Sequence, residues 1–520
     1  MRGPFKTEQP LDFSIPENEQ GLREQLKLVE KQLGKEWPIV INGEERTTGQ
    51  WITSVNPGNT DQIVGKVAKA SKKDAEDAIQ AARKAFKSWS RMSATARASV
   101  LFKLAGIIRK NRLELDAWLV YELDKPWDEA DGEVAEAVDF LEWYARRALD
   151  LEKPYDLASH PEEANELLNR PLGVGVVIPP WNFACAIYTG LTMSGVAAGN
   201  TVVLKPASNT PVVGYRIFQM MQEAGVPDGV VNFLPGSGDE VGDTLVEHPQ
   251  TRYVAFTGSK NVGVRIFENA AKVQPGQRWL KRVVAEMGGK DAIIVDNEAD
   301  IEAAAQGIVA AAFGFAGQKC SACSRAIIHQ DVYDDVEKRV VEIAKETVTL
   351  GNATEGNFTL GAVVDENQYT QILDYIEVGK NEGKLLMGGG KAEGRNGFYI
   401  EPTIFGSVDA KARVACEEIF GPVLALVKAK DYDEALDIAN DSEYGLTGSV
   451  YSKNREKLER ARYEFDVGNL YLNRKCTGSL VGIHPFAGMK LSGTNSKAGG
   501  PNYLMNFVEE KSVSEVVNPE

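Results

Sequence analysis

Residues 174–205 read VGVVIPPWNFACAIYTGLTMSGVAAGNTVVLK. Two β-branched runs, 174–178 and 201–205, flank a segment long enough for a crossover helix, which predicts a parallel strand pair. Runs at 230–234 and 253–256 repeat the pattern, so this region reads as βαβ alternation around a mostly parallel sheet, the signature of an α/β fold. Upstream, Ser71 and Asp74 stand at capping-box spacing. Ala75, Ala78, Ile79, Ala82, Phe86 and Trp89 follow on one helical face. Further helical patterns cover 94–112 and 134–149, and 39–51 reads as a hairpin-like stretch around Asn42-Gly43. Downstream, strands at 292–295, 326–329, 423–427 and 468–472 with helices at 301–315 and 332–347 predict a second α/β domain. The charged helix 454–465 reads as a solvated face.

The length of 520 residues suits two or three domains at roughly 150 residues each. A net charge of −16 argues against nucleic acid or an acidic membrane surface as partner. The most apolar stretch, 185–199, is broken by Thr189, Gly190, Thr192, Ser194 and Gly195, so no membrane helix is expected. The stretch 1–19 carries Asp12, Glu17 and Glu19 with no apolar block, which reads against a leader and for a cytoplasmic protein. The 5 cysteines, without regular spacing, suit free thiols in a reducing compartment.

Cys320 and Cys323 form a C-x-x-C pair, but no second pair stands at zinc-ligand spacing, and no metal is expected. Cys320 follows a small, flexible segment after a helix, where backbone N–H groups can face a developing anion; that suits a nucleophile. Glu286 ends a β-branched run ahead of two glycines, a place for a general base. Asn182 ends the first strand of the sheet and offers an amide donor for an oxyanion. Gly236–Gly242 is only a relaxed glycine loop, carrying Gly238 and Gly242. Phe256-Thr257-Gly258-Ser259 sits at a strand end before a helix, the geometry that holds pyrophosphate, and Lys205-Pro206 ends a neighbouring strand. Strand ends converging on one crevice form the ligand site of open α/β sheets. Singly, each motif also has a structural reading. Cys320 can be a small buried hydrophobe, Glu286 an ion-paired acid and Asn182 a turn residue.

Taken together, PWN at 180–182, KP at 205–206, FTGS at 256–259, EMGG at 286–289, GQKC at 317–320, EIFGP at 418–422 and PFAG at 485–488 resemble the aldehyde dehydrogenase superfamily, in order and over nearly the whole chain. The resemblance implies a Rossmann-type parallel-sheet cofactor domain with an N-terminal helical region (1–152 and 172–287). It further implies an α/β catalytic domain (288–483) and a β-flap (153–171 and 484–520) that makes homo-oligomers, dimers or higher. It implies Cys320 as nucleophile, Glu286 as base and Asn182 in the oxyanion hole. For the cofactor it implies Trp181, Lys205, Ser208, Gly238, Gly242, Gly258, Ser259, Glu418 and Phe420. Ser208 stands where many NAD-preferring relatives place a glutamate, so NAD is expected with NADP possible. Within the superfamily, Cys320-Ser321-Ala322 and the loop 477–482, TGSLVG, resemble the members that oxidise glutamate γ-semialdehyde. That likeness implies Ser321, Gly478 and Ser479 on the α-carboxylate, Phe183 and Phe486 along the aliphatic chain, and Glu136 on the α-ammonium. His484 and Ala487 depart from the commoner residues near this loop. The alternatives are another semialdehyde such as succinic semialdehyde, a non-catalytic relative, and a redox or zinc module built on the C-x-x-C pair.

Overall fold

Strands with no polar face bury on both sides, and Val174–Ile178, Thr201–Leu204, Val231–Phe233 and Thr251–Thr257 do so in the protein. The structure is a computed structural model and describes residues 3–517. These strands and Arg282–Glu286 run parallel in the order 282–286, 251–257, 174–178, 201–204, 231–233. Ile39–Ile41 and Glu44–Arg46 extend the sheet antiparallel as a hairpin, with the tight turn at Asn42-Gly43, both in positive φ. Helix Ala186–Ala197, the crossover between the first two strands, is buried on every side. It packs against the long helix Trp127–Asp150. Helix Lys72–Trp89 begins with the expected capping box, Ser71 accepting from the Asp74 N–H and Asp74 bonding back.

The second sheet orders its strands Lys384–Met387, Thr403–Val408, Val423–Ala429, Cys323–His329, Asp291–Val295, Thr447–Tyr451 and Asn469–Leu472, parallel except for the first pair. Each sheet has its own apolar core, and helices cover the faces. Val508–Val516 pairs antiparallel with Glu163–Pro171 in a separate two-stranded ribbon. Just before that ribbon, Tyr503, Leu504 and Phe507 turn back into the first core.

Three local expectations change. The helix read at 301–315 ends at Phe313, because Phe315, Ala316 and Gly317 all take positive φ. The glycine loop at 236–242 carries a single π turn, Gly238–Gly242, which leads into a short helix. Helices Pro16–Glu30 and Arg112–Leu123 add to the helix-rich first third. The second is buried nearly all round from Leu115 onward, so it lacks the amphipathic stripe that betrays a surface helix.

Candidate active site

The turn that ends helix Ile301–Phe313 is built by close approach. A Cβ on Gly317, at φ +67°, would lie 2.2 Å from the Gly421 carbonyl oxygen, so only glycine fits there. The chain leaves this turn through Gln318, whose side chain accepts from the Val364 N–H at 2.9 Å, and Lys319, paired with Glu129 at 2.6 Å. Cys320 follows, half-buried at the inner side of a cavity of about 290 Å³. The same cavity is lined by Glu286, Ser321, Gly478, Ser479, Phe183, Phe486 and Glu136. Six residues expected around a substrate and two expected to act on it therefore meet in one space, although they span 136–486 in sequence.

Glu286 closes the strand Arg282–Glu286, and its backbone bridges to Gly493. Its Oε2 accepts from the Gly488 N–H at 3.2 Å, while Oε1 has no partner among the described residues. Burial pushes this carboxyl well above the usual carboxylate range. Burial likewise pushes the Cys320 thiol up, and the nearby Asp291, Glu418 and Glu286 add to it.

Asn182 is buried beside the segment that carries Cys320. Its Nδ2 donates to the Gln318 carbonyl at 2.9 Å, and its own carbonyl accepts from Lys125 Nζ at 2.7 Å. Lys125 is completely buried, ion-paired with Glu133, and rests 4.6 Å from the Phe183 ring and 4.3 Å from that of Phe315. The other oxygen of Glu133 accepts from the N–H groups of Cys185 and Ala186, at the start of the buried helix. One ion pair thus ties Asn182, that helix and the turn before Cys320 together. Neither Lys125 nor Glu133 was singled out from the sequence.

The loop 477–482 presents Gly478 and Ser479 to the cavity, with Gly478 and Gly482 both at φ +76°. Among the described residues neither the Gly478 nor the Ser479 N–H finds an acceptor. An arginine does stand by: Arg474 lies over the Tyr471 ring and donates to the carbonyls of Thr477 and Gly478, the latter at 2.5 Å. It holds the loop's carbonyls and leaves the amides for an anion, as in a backbone nest. Glu136 is half-buried on the facing helix, its carboxyl pushed up to about 8 by desolvation and by the neighbouring Glu133 and Asp139.

A second set of residues gathers outside this cavity, at the C-terminal ends of the first sheet's strands. Lys205 is buried, pushed down to about 8, and makes only a 3.4 Å contact with the Pro206 carbonyl. A Cβ on Gly242 would lie 3.7 Å from its Cε, so the lysine runs beside the π turn, whereas Gly238 faces open space. Ser259 is the N-cap of helix Lys260–Ala271 but makes no side-chain cap bond, and the Gly258 N–H donates to the Glu286 carbonyl. Ser208 is exposed. Glu418 accepts from the Gly289 N–H at 2.9 Å, and a Cβ on Gly288 would strike it at 2.2 Å. Trp181 and Phe420 meet edge to face at 5.6 Å, with Phe420 at φ +60°. A buried lysine short of acceptors, an uncapped helix N-terminus and glycines at close approach fit a dinucleotide.

All five cysteines are free, and among the described residues no cluster of three potential metal ligands occurs. No described helix is long and apolar enough to cross a membrane.

The profile of the aldehyde dehydrogenase family matches residues 44–513. The chain is 56% identical over 516 residues to a 1-pyrroline-5-carboxylate dehydrogenase of Geobacillus thermodenitrificans, covering 99% of this chain and 100% of that one. It superposes with a TM-score of 0.97 on the crystal structure of 1-pyrroline-5-carboxylate dehydrogenase from Thermus with bound NAD, at 51% identity and 99% of both chains. It also superposes, with a TM-score of 0.96 and 45% identity, on proline utilization A from Bdellovibrio bacteriovorus, covering 99% of this chain and 53% of that one.

Proposed function

The chain belongs to the aldehyde dehydrogenase family, and from that premise we propose that it oxidises glutamate γ-semialdehyde, the open form of 1-pyrroline-5-carboxylate, to glutamate with NAD. The observation that carries the substrate is the cavity itself. It holds the Cys320 thiol together with the unpartnered N–H groups of Gly478 and Ser479 and the carboxyl of Glu136. Paired amides suit an α-carboxylate, a half-buried acid suits an α-ammonium, and the phenyl rings of Phe183 and Phe486, which line the same cavity as the thiol, suit an aliphatic chain. Full-length likeness to 1-pyrroline-5-carboxylate dehydrogenases supports the same reading.

In this mechanism Cys320 Sγ adds to the aldehyde carbon and forms a thiohemiacetal. Its oxyanion is met by the Cys320 N–H and by the second N–H of Asn182 Nδ2, the first being spent on Gln318. Bound NAD supplies the hydride acceptor that turns this adduct into a thioester. Glu286, with Oε1 free, takes a proton from water as that water attacks the thioester and releases glutamate. An incoming ammonium favours the ionised form of Glu136, which offsets the burial that otherwise keeps it neutral. Ser321 adds a hydroxyl to the carboxylate's ligands.

For the cofactor, Lys205 and Glu418 would hold ribose hydroxyls, Gly258 and Ser259 the pyrophosphate, Gly238 and Gly242 the wall beside it, and Trp181 with Phe420 the nicotinamide side. Exposed Ser208 leaves room for a 2′-phosphate, so NADP use accompanies NAD. Residues 1–152 and 172–287 would serve the cofactor, 288–483 the thiol chemistry, and 153–171 with 484–520 assembly into a homo-oligomer. The two-stranded ribbon supports the last point, because an isolated pair of strands is marginal in water without a partner. Free thiols suit a cytoplasmic setting.

The test is reduced-nicotinamide formation with 1-pyrroline-5-carboxylate and with succinic semialdehyde, each with NAD and NADP, beside a Cys320→Ala variant. Turnover chiefly of 1-pyrroline-5-carboxylate, absent in the variant, is expected. Preference for succinic semialdehyde would keep the thiol chemistry and overturn the amino-acid substrate.

A further inference from the structure

Residues 3–11 lie across the long helix Trp127–Asp150 and belong to the wall of the catalytic cavity, to which they contribute Glu8 and Pro10. This arm precedes the span 44–513 shared with the family at large. Its attachment is specific. The Glu8 N–H donates to Asp139 Oδ1 at 2.8 Å, and the Leu11 N–H to Asp131 Oδ2 at 2.6 Å. Arg109 clamps the Glu8 carboxylate at 2.9 Å, Arg112 bonds the Gln9 carbonyl at 2.9 Å, and Phe5 meets the Trp143 ring edge to face at 5.1 Å. The arm also reaches the anion-binding loop, since a Cβ on Gly482 would lie 3.1 Å from the Phe5 ring.

Asp139 lies one helical turn beyond Glu136, on the same face, and both line the cavity. The arm's amide occupies one of its oxygens and fixes its rotamer, while Glu8, already neutralised by Arg109, closes the space around it. A buried carboxylate so held at a cavity wall suits a cation. We propose that the N-terminal arm is a specificity element: by fixing Asp139 beside Glu136 it completes an acidic pocket for the substrate's α-ammonium group. Asp139 would touch the substrate, and the arm is a positioning segment.

The inference rests on the amino-acid substrate proposed above. Its test compares glutamate γ-semialdehyde with glutarate semialdehyde, which has the same chain and carboxylate but no amine. Asp139→Asn, which keeps an acceptor for the Glu8 N–H, and a variant lacking residues 3–11 are measured beside the unaltered protein. Both changes should raise KM for the amino substrate about tenfold or more, the weight of one charged hydrogen bond. KM for glutarate semialdehyde should stay within about twofold, and KM for NAD should not move. Equal shifts for both aldehydes, or none for either, overturn the inference. Inactivity of the unaltered protein towards glutamate γ-semialdehyde would instead overturn the substrate reading beneath it.

Discussion

Lys125 is fully buried among Glu133, the Asn182 carbonyl and two aromatic rings. Removing one member of such a pair leaves the other charge buried alone, which costs about 3–5 kcal/mol. Lys125→Met should lower unfolding stability by that order in chemical denaturation and should reduce kcat, because Asn182 loses the bond that sets its backbone. The double variant Lys125→Met/Glu133→Gln should recover much of the stability but not kcat; full recovery of both would show that the pair does nothing for turnover. Glu286 carries a second expectation. Burial raises its carboxyl above the usual carboxylate range, so the fraction able to take a proton from water grows as pH rises, and the hydrolytic step should quicken on the alkaline side. In Glu286→Gln that rise should vanish, and stopped-flow traces should show one rapid burst of reduced nicotinamide followed by slow turnover.

At the scale of elements, the turn Gly314–Gly317 decides where Cys320 stands, and three successive residues in positive φ are its unusual feature. L-residues pay for that conformation, and Gly317 also approaches the Gly421 carbonyl too closely for any side chain. Gly317→Ala should therefore abolish turnover, while the far-ultraviolet circular dichroism stays native, since the sheets on either side hold themselves. Little of this turn was legible beforehand. Ala-rich residues 301–312 carry a strong helical pattern that runs on smoothly through Phe315, and the force that ends the helix comes from residues about a hundred positions away. By contrast, the capping box at Ser71 and the hairpin at Asn42-Gly43 emerged as read, because their hydrogen bonds and dihedral preferences lie within a few residues.

Over the whole molecule, buried carboxyls are held above their ordinary range by desolvation: Asp124 to about 6, Glu122, Asp139 and Glu418 to about 7, and Glu136 to about 8. A group whose folded value is raised favours the folded state fully below its unfolded value and loses that contribution as pH climbs through the folded one. Thermal stability should therefore fall between pH 5 and pH 7, reinforced by self-repulsion in a chain of net charge −16, whereas buried Lys205, Lys281 and Lys290, pushed down to about 7–8, oppose the trend above that range. Scanning calorimetry across that range checks it, and a flat or rising profile would contradict it. By itself the sequence determined the alternation of strands and helices, the parallel sheets and the motifs that resemble the family's, because periodicity and short motifs are local properties. Only the tertiary structure decided that the Gly478 and Ser479 amides stand unpaired beside Cys320, that Lys125 and Glu133 brace Asn182, and that residues 3–11 wall the cavity. Those facts depend on which groups lose water together, and segments as far apart as Glu8 and Asp139 acquire that relation only when the chain has folded.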